Sequence, residues 1–186
     1  MTVVLHTCCG PCASACVPRL VEDGHEVTML FANSNIDTRE EFEKRKTEAE
    51  KLATHDGVRF AALPYDHEEW LREVAAGYEN EPEKGARCVR CFRYNLAKTA
   101  EFARANGIPS FTTSLTVSPH KVSKTIFDVA QNLATLKLSN SVTFLPYDFK
   151  KREGFKLSVK RAEELGLYRQ SYCGCEFSKW QAKVIH

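Results

Sequence analysis

Two hydrophobic periods alternate along the chain. Val3-Val4-Leu5 is a short β-branched and aliphatic run ending at a Cys/Gly/Pro cluster, and Ala13, Val17, Leu20 and Val21 follow at helical spacing until Asp23-Gly24. The same switch from strand to helix recurs. A strand is predicted over 25–32, and an amphipathic helix over 38–53 with Phe42, Ala49 and Leu52 on one side. A third strand over 58–63 leads to a helix over 68–76, a polar loop over 77–85 and a helix over 89–105 that Gly107-Ile108-Pro109 closes. That helix turns Phe92, Leu96, Ala100 and Phe102 or Ala103 inward. Then come a fourth strand over 110–114, a helix over 122–136, a fifth strand over 142–145 and a short helix over 157–165 stopped by Gly166. Strands alternating with helices imply right-handed crossovers and a mainly parallel sheet covered on both faces. In such sheets ligands bind at the carboxyl ends of the strands, and the loop carrying Cys8, Cys9 and Cys12 lies at the end of the first.

Composition narrows the class. With 186 residues, 26 Lys+Arg against 24 Asp+Glu, a net charge of +2 and 43% hydrophobic residues, the chain fits one compact domain over 1–186. Such a chain buries roughly 70% of its unfolded surface, so it needs no disulfide staples. There is no low-complexity tract and no internal repeat. The near-balanced charge neither demands nor excludes nucleic acid. Met1 to Leu5 has no basic flank and does not read as a secretory signal, and no run approaches the ~20 apolar residues of a membrane span. A cytoplasmic location with no membrane partner is expected. Thiols are kept reduced there, so eight cysteines point to metal binding or redox chemistry.

The cysteines are bunched. Cys8, Cys9, Cys12 and Cys16 lie within nine positions, Cys88 and Cys91 form a CxxC, and Cys173 and Cys175 form a CxC. Cys16, four positions after Cys12 on a predicted helix, suits packing. Cys8 and Cys9 reach one centre only if the backbone turns, and Gly10-Pro11 supplies the turn. The helix N-terminus beyond favours thiolate over thiol. Cys88 and Cys91 are spaced to converge on one ion or cluster, and Arg87, Arg90 and Arg93 around them offset thiolate charge. Spacing does not separate zinc from iron-sulfur, although a vicinal pair is unusual for structural zinc. A bond across Cys173-Gly174-Cys175 closes a very small ring and is easily reduced, which suits a redox relay better than a staple; two metal thiolates are the alternative.

Five blocks in one order carry a resemblance. Leu5-His6-Thr7-Cys8-Cys9-Gly10-Pro11-Cys12, Arg87-Cys88-Val89-Arg90-Cys91-Phe92, the run from Phe111 through Thr112-Thr113-Ser114 to His120-Lys121, Asp148-Phe149-Lys150-Lys151, and the run from Leu167 through Arg169-Gln170-Ser171-Tyr172-Cys173-Gly174-Cys175 to Ser178 resemble the cobalamin-independent epoxyqueuosine reductases, the QueH family. The resemblance spans residues 2–178. Its visible departures are Gly10, where alanine is frequent, and Asn33-Ser34-Asn35-Ile36, where Asn-Pro-Asn is common. It implies reduction of the epoxide of epoxyqueuosine at the tRNA wobble position to the alkene of queuosine, within a Rossmann-like sheet of the HUP type. Carried over to these positions, it implies a [4Fe-4S] cluster on Cys8, Cys9, Cys88 and Cys91 and a redox pair of Cys173 and Cys175. It further implies a second, mononuclear iron, for which Cys12, Asp66 and Asp148 are the candidate ligands. The partners implied are tRNA carrying epoxyqueuosine and an external electron donor.

Substrate contacts are expected from Thr113, Ser114, His120 and Lys121 in the hydroxyl-rich stretch 112–121, which reads equally as a capped helix start with Ser118 as N-cap. His6 and His120 are candidate proton donors, though packing is the better account of His6 alone. Lys150, Lys151, Arg152 and Lys156, interleaved with Phe149 and Phe155, and Tyr168, Arg169 and Tyr172 before the CxC, suit phosphates and a splayed base. The rival readings are a metal-free thiol-disulfide oxidoreductase and a zinc-stabilised RNA-binding module. A tRNA sulfur transferase is remote, because Cys-Cys-Gly-Pro stands where an SGGxD pattern is needed.

Overall fold

The first strand is the middle of the sheet. β1 (Thr2–His6) pairs in parallel with β2 (Glu26–Phe31) on one side and β4 (Ser110–Thr113) on the other. β3 (Arg59–Ala62) and β5 (Thr143–Phe144) complete an all-parallel order β3-β2-β1-β4-β5 in the computed structural model, which describes residues 1–135 and 142–179. This is the single α/β domain that the alternating periods imply.

Alternate residues of β1 feed two cores. Val3 and Leu5 pack with Val17 and Leu20 of α1 (Gly10–Glu22), Phe42 and Leu52 of α2 (Arg39–Asp56) and Ala162 of α6 (Gly154–Glu164). Val4 faces Leu96 and Ala100 of α4 (Ala86–Ala105) and Ile126 and Ala130 of α5 (Ser123–Thr135). Pro18 inside α1 has no N–H for the Ser14 carbonyl, and the Arg161 guanidinium of α6 donates to it instead. Cys16 is fully buried in the first core, a packing residue.

The predicted strands are found, the first one residue longer at each end and the other four trimmed, and the predicted helices shift more. The stretch 68–76 is one α turn, α3 (His67–Trp70), followed by a π turn over Leu71–Ala75, which keeps Trp70, Val74 and Ala75 buried together. α4 and α6 each begin three residues earlier than expected, so Cys88 and Cys91 fall in the first two turns of α4. A 3₁₀ turn over Ser114–Val117 occupies the hydroxyl-rich stretch after the fourth strand. Ser118 is not a helix N-cap: its hydroxyl accepts from the His120 N–H at 3.3 Å, and α5 starts only at Ser123. The expected end of that helix at residue 136 lies outside the described residues. No described helix is long and apolar enough to cross a membrane.

From β1 the chain crosses over to β2 on one side, and from β4 to β5 on the other. The crevice between the carboxyl ends of β1 and β4 is therefore the switch point of the sheet, where α/β folds take their ligands.

Candidate metal and redox site

β1 ends at His6, and the chain leaves the sheet through Thr7 and Cys8. Cys9, extended at φ −170° and ψ 160°, is the N-cap of α1, and its sulfur accepts from the Cys12 N–H at 3.4 Å. The Cys8 and Cys9 sulfurs are 3.9 Å apart, and those of Cys8, Cys9 and Cys12 all lie within 4.8 Å of one another. Among the described residues this is the one group of three Cys, His, Asp or Glu donors so gathered.

β4 closes the switch point from the other side. Ser114 Oγ accepts from the Cys8 N–H at 3.0 Å and donates to the Cys8 sulfur at 3.3 Å. Thr113 Oγ1 pairs with His6 Nδ1 at 2.9 Å and accepts from the Leu115 N–H. Hydrogen bonds from Cys12 and Cys8 hold the Cys9 thiol well below the free-thiol range. Cys12 is pushed up by Cys8 and Cys9 beside it, so the trio shares a thiolate centred on Cys9. Sulfurs this close, with negative charge at a helix N-terminus, suit a bound metal.

The trio forms one wall of a cavity of about 640 Å³ that Cys91 of α4, Cys173 of the C-terminal segment and Lys121 also line. The Lys121 ammonium is held above its usual range by Cys173 and, despite burial, by Cys8, Cys12 and Cys9.

The C-terminal segment is strapped onto α2. Tyr168 N–H donates to Glu48 at 2.9 Å, Tyr172 OH to Asp37 at 2.6 Å, and the Asp37 N–H to the Gly174 carbonyl at 3.0 Å. Arg45, 2% exposed, pairs with Glu41 at 2.7 Å, donates to the Cys173 carbonyl at 3.0 Å and lies over the Tyr172 ring. Gly174 has φ +146°, and a Cβ there would stand 3.0 Å from Asn35 Nδ2. Only glycine suits that backbone. The strap leaves Cys173 exposed and buries Cys175 with Trp70, Val74, Ala75 and Phe177 in a cluster against which Cys91 also packs.

Several expected contacts are arranged otherwise. Asp66 caps α3 by accepting from the Glu69 N–H at 2.8 Å and lines a separate cavity of about 510 Å³. Asp148 accepts from Ser123 Oγ at 2.9 Å and from the Lys150 N–H. Neither carboxylate borders the cysteine cavity, because each is committed to closing a turn. Thr113 and Ser114 are fully buried beneath Cys8 rather than open to a substrate. Phe149 is core, and the Lys150 ammonium turns inward to the Lys121 carbonyl at 2.6 Å. Lys151 is exposed. Arg87 clamps the loop carbonyls of Tyr78, Glu79 and Glu81 while its charge favours the Cys88 and Cys175 thiolates, and Arg90 clamps the π-turn carbonyls of Glu73 and Val74. Cys88 accepts from the Lys84 N–H and does not line the cavity. His120, Arg169 and Tyr172 do line it, with the Arg169 guanidinium 5.3 Å over Phe155.

Sequence reasoning missed Arg45, Asp37, Asn35 and Asn95. Asn35 alone had a signal, its place just beyond a predicted strand end. Arg45 sits on a helix whose charges read as a solvated face.

Comparison with known proteins bears on this geometry. A family model described as "Epoxyqueuosine reductase QueH" matches residues 3–181. A protein of that name from Streptococcus pyogenes serotype M1 is 38% identical over 95% of this chain and 70% of its own length. Those from Haemophilus influenzae and Thermotoga maritima are 33% and 32% identical, over 98% and 100% of this chain and 75% and 94% of their own. A cysteine trio at the sheet's switch point and a match that runs through it to the C-terminal strap lead to one conclusion: the chain belongs to the epoxyqueuosine reductase QueH family of oxidoreductases.

Proposed function

We propose that the chain reduces the epoxide of epoxyqueuosine, at the wobble position of tRNA, to the alkene of queuosine in the cytoplasm. The observation that carries this reading is the convergence of Cys8, Cys9, Cys12, Cys91 and Cys173 on one cavity. Cys8, Cys9 and Cys91 on the cavity wall, joined by Cys88 three positions before Cys91 on α4, would hold a [4Fe-4S] cluster, and Cys12, the third sulfur of the trio, an additional iron. When bound, the cluster supplies electrons and the iron a Lewis acid toward the epoxide oxygen.

The chain's own thiols balance the reaction. Both C–O bonds of the epoxide break, the oxygen leaves as water with two protons, and the ring carbons take two electrons. Cys173 and Cys175 give up two electrons and two protons as a bond forms between their sulfurs. An external reductant then restores the dithiol. The exposure of Cys173 toward the cavity supports this role. Lys121, held as ammonium among the thiols, steadies charge on the departing oxygen. At the mouth, Arg169 over Phe155 offers a plane for a splayed base, with His120 and Tyr172 on the rim and Lys151 for phosphate.

Iron, sulfide and zinc analysis of protein purified without oxygen, joined to turnover of epoxyqueuosine-tRNA, tests the reading. About four or five irons with about four sulfides per chain, and loss of the epoxide, are expected. One zinc without sulfide, or an unchanged epoxide with the cluster loaded, overturns it.

A further inference from the structure

A buried amide beside Cys91 has an oxygen left over. Asn95 is 3% exposed and lines the cysteine cavity one helical turn beyond Cys91. Its Nδ2 donates to Asn35 Oδ1 at 3.1 Å and approaches the Cys91 sulfur at 3.8 Å, which fixes the amide's orientation. Among the described residues its Oδ1 has no hydrogen-bond partner. An unsatisfied buried acceptor is costly, and one on a cavity wall is a position for a ligand's donor.

We propose that Asn95 Oδ1 accepts a hydrogen bond from a hydroxyl on the substrate's cyclopentane ring, which makes Asn95 a specificity-determining residue. This rests on the reductase reading. The reacting epoxide must lie against the thiols; one hydroxyl-bearing ring carbon adjoins it and the second hydroxyl is on the next carbon. The amide's Nδ2 is 3.8 Å from the Cys91 sulfur, so its Oδ1 belongs to the stretch of cavity wall beside the thiols, where those hydroxyls fall. The amine that joins the ring to the base and the 7-deazaguanine itself are the substrate's other donors here, and both are kept in the ring-less control ligand of the test. Asn35 contributes by holding the Asn95 amide, and its own Nδ2 abuts Gly174, so the reader is braced by the segment that carries the redox pair.

The test compares binding of two anticodon stem-loops by metal-loaded protein. One carries queuosine, which has the ring diol but no epoxide; the other carries 7-aminomethyl-7-deazaguanine, which has no ring. The wild-type chain is expected to prefer the queuosine stem-loop by roughly 10- to 100-fold. Asn95→Leu, with its visible absorption and melting temperature checked against the wild type, is expected to bring that ratio to within about threefold while leaving affinity for the ring-less stem-loop unchanged. Asn95→Asp keeps an oxygen in place and is expected to retain a preference; it decides the matter should Asn95→Leu not fold. A wild-type ratio that persists in Asn95→Leu, or that vanishes in Asn95→Asp, overturns the inference alone. A wild-type chain without preference overturns it together with the reductase reading.

Discussion

Cys9 and Cys173 face one cavity, yet what holds them differs in kind. Cys9 is placed by its neighbours in the chain: the end of β1, the turn at Gly10-Pro11 and the N–H of Cys12 three residues on. Cys173 is placed by residues more than a hundred positions away, Arg45 on its carbonyl and Asp37 on Tyr172 and Gly174. The first thiol is as firm as the central strand of the sheet. The second hangs on side chains, so it is the more easily loosened of the two, which suits a group that must be oxidised at the cavity and reduced by an outside donor.

The sharpest way to break the comparison is chemical. Cys173→Ser is expected to abolish multiple turnover while leaving metal content and melting temperature as in the wild type; full turnover by this variant with an intact metal spectrum overturns the relay. Next comes Arg45→Met. Removing a buried guanidinium from Glu41 and from the Cys173 carbonyl is expected to cost about 3 kcal/mol in urea unfolding. It should release the strap, read as faster alkylation of Cys173, while Cys9 stays protected.

Two glycine substitutions separate the regions at smaller cost. Gly174→Ala puts an L residue at φ +146° and a Cβ 3.0 Å from Asn35 Nδ2, and about 2 kcal/mol of destabilisation with lost turnover is expected. Gly10→Ala brings a Cβ to 2.8 Å from the Glu48 carbonyl oxygen, so α1 and α2 must part slightly. Improved helix propensity offsets some of that, leaving about 1 kcal/mol. Its effect belongs to metal loading, not to Cys173 reactivity.

The smallest effect is a pH slope confined to the strap. Burial lowers the His67 pKa, but the hydrogen bonds to Glu176 at 3.2 Å and to the Ser34 carbonyl more than offset it, and the folded value lies above the usual 6.5. The folded state therefore binds the proton more tightly. Its contribution is complete below pH ~6.5 and is lost as pH rises through the folded value. Melting temperature should fall slightly over that window, and His67→Gln should flatten the slope.

Legibility followed the same division between local and distant contacts. Hydrophobic period and turn signals together located the five strands, including β4, whose Ser-Phe-Thr-Thr carries a single apolar residue and follows Gly107-Ile108-Pro109. The π turn after Trp70 and the 3₁₀ turn at Ser114 escaped them, since both exist to bury particular side chains against distant partners. Asp66 and Asp148 looked like ligands because they follow strands, and nothing in their neighbours showed that each closes a turn.

By itself, the sequence determined the alternation of strand and helix, the place of the Cys8, Cys9 and Cys12 loop at a strand's carboxyl end, and the family. All three are local or linear properties, set by periodicity, turn chemistry and the order of motifs. Only the tertiary structure decided that Cys12 joins Cys8 and Cys9, that Cys173 faces the cavity while Cys175 is buried in the Trp70 cluster, and that Asn95 and Arg45 belong to the site. Those outcomes depend on which buried polar groups meet across the fold, and a residue's neighbours in the chain do not show which distant groups will complete the hydrogen bonds of a buried charge or amide.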